Sequence, residues 1–172
     1  IAQELYYRFL NEVSKTSCRR VIVTGGNHDS PSFLDAPKAL LKAFNVYVVG
    51  SAAEREEDEV YVLKDADNNP EVIVCAVPFL RDRDVRQSSE GESYRDKENR
   101  LVEGIVSHYQ KVYEEACKER NELGKSLPII GMGHLFIAGS SIYKRSGEAS
   151  GERDLYVGNL GQVSADRLPS FD

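Results

Sequence analysis

The run Val21-Ile22-Val23-Thr24, followed by Gly25-Gly26-Asn27-His28-Asp29-Ser30, constrains this chain more than any other stretch. A short β-branched segment closed by two glycines predicts a buried strand ending in a loop where backbone approaches a ligand closely. Three side chains able to ligate metal or move a proton then fall at the carboxyl end of that strand, where open α/β sheets bind ligands. Leu127 to Met132 repeats the pattern and ends in Gly133-His134. Two such strand ends put oxygen and nitrogen donors at one sheet edge, a set that suits Mn²⁺, Fe²⁺ or Zn²⁺. On this reading Asn27 and His134 are metal ligands. His28 is then free to stabilise charge developing on a phosphate or to protonate a leaving oxygen, and Asp29 orients the loop or His28. The competing reading makes Asn27 and Asp29 turn-capping residues and both histidines incidental.

Around these two stretches the periodicity alternates between helix and strand. Ile1, Leu5, Phe9 and Val13, with Tyr6 and Leu10 beside them, predict an amphipathic helix over 1–15 that leads into a strand over 20–24. Ser30-Pro31-Ser32 offers caps, and 36–44 reads as a second helix. Val46 to Val49 is a short strand, and the acidic run Glu54 to Glu59 reads as a solvated loop. Residues 60–64 and 71–77 flank an Asp- and Asn-rich turn and form a hairpin, with Cys75 as a small buried apolar residue.

Polar residues 81–93 predict a mobile loop, and 94–123 a long helix ending at Gly124. His108 falls on that helix and reads as a surface or groove histidine, since no second ligand lies four residues away. A second mobile loop is expected at 138–151, a short strand at 155–158, and a loose end over 162–172. Arg81, Arg83, Arg86, Lys144 and Arg145 are candidates for phosphate contact, although basic residues in loops more often serve solvation.

Composition narrows the classes. The 172 residues fit one domain, and an apolar fraction of 41% supports a core. No apolar segment approaches the roughly 20 residues a membrane-spanning helix needs. Three widely spaced cysteines, Cys18, Cys75 and Cys117, form no paired spacing, which points to a reduced, cytoplasmic protein. A net charge of −6 argues against a broad basic surface for nucleic acid, but metal ions can supply local positive charge at a phosphate site.

Gly26-Asn27-His28-Asp29 resembles the third signature of the calcineurin-like metallophosphoesterases, and Gly133-His134 resembles the fourth. The narrower form is similar to the bacterial SbcD-type nuclease subunits: Gly-Asn-His-Asp-Ser at 26–30, Val-Pro-Phe-Leu-Arg at 77–81, Gly-His-Leu-Phe at 133–136 and Tyr-Val-Gly at 156–158. The resemblance implies an α/β fold, a metallophosphoesterase-type two-sheet sandwich flanked by helices, with two divalent metal ions, usually manganese. It implies Asn27 and His134 as ligands of one metal and His28 as the catalytic histidine. It further implies a DNA exonuclease and single-strand endonuclease acting in repair and recombination with an SbcC-type ATPase. A homodimer through the helices at 1–15 and 36–44 is implied as well.

The family's upstream Asp-x-His and Gly-Asp-x-x-Asp signatures and its downstream Gly-His-x-His do not occur here. The chain is therefore expected to be the central part of one nuclease domain over 1–172, incomplete at both ends and inactive alone. The alternatives are another calcineurin-like phosphatase or phosphodiesterase, or a non-catalytic scaffold.

Overall fold

A computed structural model describes residues 2–86, 91–138 and 162–172. The expected loop at 138–151 beyond Ala138, the basic pair Lys144 and Arg145, and the expected strand at 155–158 lie outside these residues.

The mixed α/β arrangement anticipated from the sequence is observed, with two small sheets and a short third ladder. Helix α1 (Ala2–Val13) leads to β1 (Val21–Thr24), which pairs in parallel with β2 (Val46–Val49), Thr24 standing opposite Val49. Leu10, Leu34, Leu41, Val46 and Val48 form the core beneath this sheet. Between the two strands the helix expected over 36–44 is observed as α3 (Lys38–Ala43), and a short helix that was not expected, α2 (Pro31–Asp35), precedes it. Pro37 stands at the start of α3 and separates the two helices, since proline has no backbone N–H to continue a helix through it. Ser30 caps α2 by accepting the Phe33 N–H, with Pro31 at the first helical position where its missing donor costs nothing.

The second sheet has the order β3–β4–β5, from β3 (Val60–Lys64), β4 (Pro70–Val77) and β5 (Ile129–Gly133). The β3–β4 pair is the expected antiparallel hairpin, whereas β4 and β5 run parallel, with Val77 opposite Gly133. Parallel pairing needs a covering crossover. Here the connection contains α4 (Asp82–Val85) and the 29-residue α5 (Tyr94–Glu122). Ile105, Tyr109, Val112 and Ala116 recur at helical spacing along α5 and bury against Ile73, Cys75, Val77 and Ile129. Central β4 is consequently buried continuously from Ile73 to Val77, and burial pushes the Cys75 thiol up to about 12.

Three local expectations are corrected. The run Glu54–Glu59 is not merely a solvated loop: residues Glu56–Glu59 form a 3₁₀ turn and Glu59 is fully buried. Its carboxylate accepts the Ala53 N–H at 2.8 Å and meets His108 Nε2 at 2.9 Å. His108 is therefore no incidental groove histidine but the hydrogen-bond partner of a buried acid, and a buried polar group without such a partner is costly.

The segment 81–93, expected as loop, contains the helical turn α4, followed by a nearly buried Arg86 held by Asp82 and Glu92. The end of the chain is not loose. There, β7 (Val163–Ser164) pairs with β6 (Ile137–Ala138), Val163 is fully buried, and the Asp172 carboxylate accepts the Ile129 N–H at 2.9 Å.

Candidate metal centre

The loop after β1 lies where the two sheets meet. Gly25 N–H donates to Val49 at 2.8 Å, closing the β1–β2 ladder, while its carbonyl accepts the Phe79 N–H at 2.8 Å from the segment that leaves β4. One glycine thus ties both sheets at their carboxyl ends. The loop then turns on Asp29, whose Oδ2 accepts the Gly26 N–H at 2.7 Å while its own N–H donates to the Gly26 carbonyl at 3.2 Å. This short closure holds Asn27 and His28 between its ends, with His28 exposed.

Residues 107 positions apart meet at this edge: His134 Nε2 lies 3.1 Å from Asn27 Oδ1. The parallel β4–β5 register brings Gly133, and so His134, to the level of Val77, from which the chain reaches the Gly25–Asp29 loop. Two glycines make that approach possible. A Cβ at Gly26 would lie 3.1 Å from His134 Cε1, and a Cβ at Gly133 would lie 1.8 Å from the buried Tyr109 hydroxyl. Phe79 sets its ring edge-on to the His134 imidazole, with centroids 5.9 Å apart and an interplanar angle of 79°. Behind the imidazole a cavity of about 70 Å³, lined by Leu101, Ile105, Tyr109 and Phe136, keeps that side apolar.

Of the four residues singled out from the sequence, Asn27 and His134 touch, and Asp29 holds their loop. His28 is exposed beside them and makes no hydrogen bond to a described residue. Phe79 gains a place in the site that its sequence position alone does not assign. The signal for Phe79 was its position in Val-Pro-Phe-Leu-Arg immediately after a strand.

The donor chemistry fits a divalent ion. Ligands at about 2.0–2.2 Å from a common ion at right angles stand roughly 3 Å apart, close to the separation of Asn27 Oδ1 and His134 Nε2. A neutral imidazole and an amide oxygen also suit borderline-hard metals. Two donors make only part of such a centre: among the described residues no group of three or more His, Cys, Asp or Glu could hold a metal ion.

The site lies on a mixed α/β scaffold with the partial form of a metallophosphoesterase-like fold, two strand ends delivering Asn-His and Gly-His to one edge. Sequence comparison supports an SbcD-type nuclease segment within that class. The chain is 34% identical over 171 residues, 99% of its length, to the D subunit of the SbcCD nuclease of Escherichia coli K12, and equally to that of strain O157:H7. It is 26% identical over 174 residues to the corresponding SbcCD nuclease chain of Rhodobacter capsulatus. The chain spans 40% of the length of these relatives. No protein-family model matches it.

Proposed function

We propose that this chain supplies one corner of the active site of a metal-dependent DNA nuclease subunit that hydrolyses phosphodiester bonds in DNA repair and recombination. The observation that carries this reading is the 3.1 Å meeting of Asn27 and His134 beside an exposed His28. Asn27 and His134 would hold one divalent metal ion, manganese by family resemblance. When bound, such ions polarise a phosphoryl oxygen and lower the pKa of coordinated water.

The chain's own residues perform the remaining tasks. His28, with no hydrogen bond to a described residue, donates a proton to the leaving oxygen or stabilises negative charge on the phosphate. Asp29 fixes the loop through Gly26, so that His28 and Asn27 keep their spacing. Phe79 restricts rotation of the His134 ring. Ring orientation matters because a ligating imidazole presents its lone pair only in the ring plane.

By the same reading the intact protein is a cytoplasmic exonuclease on double-stranded DNA and endonuclease on single strands, working with an SbcC-type ATPase. Among the described residues no helix is long and apolar enough to cross a membrane. A homodimer would form through α1 and α3, which leave Leu5, Tyr7, Phe9, Leu40 and Phe44 exposed. Exposed apolar side chains on both helices are what such an association would cover.

Incubating the intact protein with labelled DNA tests the function. Cleavage is expected with Mn²⁺ and should disappear on chelation and return on re-addition. Absence of DNA cleavage with hydrolysis of small phosphomonoesters retained would assign the protein to the phosphatases of the superfamily instead.

A further inference from the structure

The segment leaving β4 wraps the His28 loop at two points. Phe79 donates its N–H to Gly25 and packs on His134. Two residues later Arg81 Nη2 reaches the Asp29 carbonyl oxygen at 3.5 Å, immediately after His28 in the chain. The geometry points to Arg81 as the residue that grips a DNA phosphate beside the reacting bond, an inference that rests on the nuclease reading above.

Charge pairing separates Arg81 from its neighbours. Arg86 is nearly buried and occupied by Asp82 and Glu92, and Arg83 stands 3.6 Å from Asp84. Arg81 forms no ion pair among the described residues. The nearby carboxylate of Asp84 is instead taken by the Arg81 backbone N–H, at 2.8 Å, as part of the turn that starts α4. The guanidinium is only half-buried and carries five N–H donors, of which the Asp29 contact uses one.

The remaining fork matches a phosphate's paired oxygens, a geometry lysine cannot reproduce. In a chain of net charge −6, a cation that touches the catalytic loop and has no ion pair among the described residues is where a polyanion would be held. The contact with Asp29 would also tie the grip on DNA to the loop carrying His28 and Asn27.

DNA affinity of the intact protein with its ATPase partner, in a His28→Ala background that prevents cleavage, tests this by anisotropy of a labelled duplex. Arg81→Gln is expected to raise Kd about tenfold and to lower the slope of log Kd against log salt by about one, the loss of one phosphate contact. Arg81→Lys should restore the slope but only part of the affinity.

Unchanged Kd and slope would overturn the inference, as would an affinity loss common to Gln and Lys with an unaltered slope, the mark of a loop anchor alone. Should Arg81→Gln not fold, phenylglyoxal labelling of the unsubstituted Arg81 decides. DNA is expected to protect it, and full labelling in the DNA complex would overturn the inference. If the His28→Ala complex bound no DNA at all, the nuclease reading would fall together with this inference; binding that ignores Arg81 would remove the inference alone.

Discussion

Replacing His28 by alanine in the intact protein is expected to lower the rate of DNA cleavage by about 10²–10⁴-fold, the contribution of a positioned general acid or charge-stabilising histidine. The size follows from His28's situation. It is exposed at the edge where Asn27 and His134 meet, and no hydrogen bond to a described residue restrains it, so the proposed reading assigns it to substrate and not to holding the fold. The same substitution should therefore leave the melting temperature within a degree or two and the metal content unaltered. Asn27 and His134 remain, and the Asp29–Gly26 bond that shapes the loop does not involve the imidazole. Single-turnover cleavage measured beside a thermal melt separates the two effects. Turnover within twofold of the unsubstituted protein would favour a scaffold whose Asn-His-Asp loop is only a turn.

The largest stability effect is expected at His108. Removing its imidazole leaves the Glu59 carboxyl, 0% exposed, with the Ala53 N–H as its remaining hydrogen bond among the described residues, and depriving a buried polar group of a partner typically costs about 1–3 kcal/mol, more for a charged one. His108→Ala should thus lower the urea midpoint of the intact protein sharply. Replacing both members by leucine should recover most of the loss, because a buried pair exchanged for apolar residues of similar volume is often neutral. A His108→Ala change below about 0.5 kcal/mol would mean that water reaches Glu59 and screens it.

The Glu59–His108 pair shows where reading residues in order loses its grip. An acidic run looks solvated from its composition, and nothing local marks Glu59 as the member that turns inward. Its partner is 49 residues away on α5, and only the packing of that helix over the β3–β4 hairpin brings the two together. Arg86 escapes a local reading for a similar reason, since its two carboxylates become neighbours only once α4 has formed.

By contrast, the strand at Val46–Val49, the hairpin and the 29-residue helix are legible because apolar periodicity and turn residues act over a few positions. The helix expected at 36–44 is present as α3, whereas the five-residue α2 before it is too short for apolar periodicity to mark and shows only as the caps Ser30 and Pro31. The site is half legible. The repeated strand-glycine-histidine pattern locates Asn27 and His134, and Arg81 is among the sequence candidates for phosphate contact, whereas the contacts of Phe79 with His134 and of Arg81 with the Asp29 carbonyl come only with the curl of chain that follows β4.

Asn27 and His134 stand at the centre of the functional reading as ligands of a single ion. Calorimetric titration of Mn²⁺ into the intact protein, and into its Asn27→Ala and His134→Ala variants, measures this. Both substitutions should weaken the same site, each by at least about 10–100-fold, while any second site keeps its affinity. Unaltered manganese binding in either variant, or losses that fall on two different sites, would show that the 3.1 Å contact is a hydrogen bond between neighbours and not half of a metal centre.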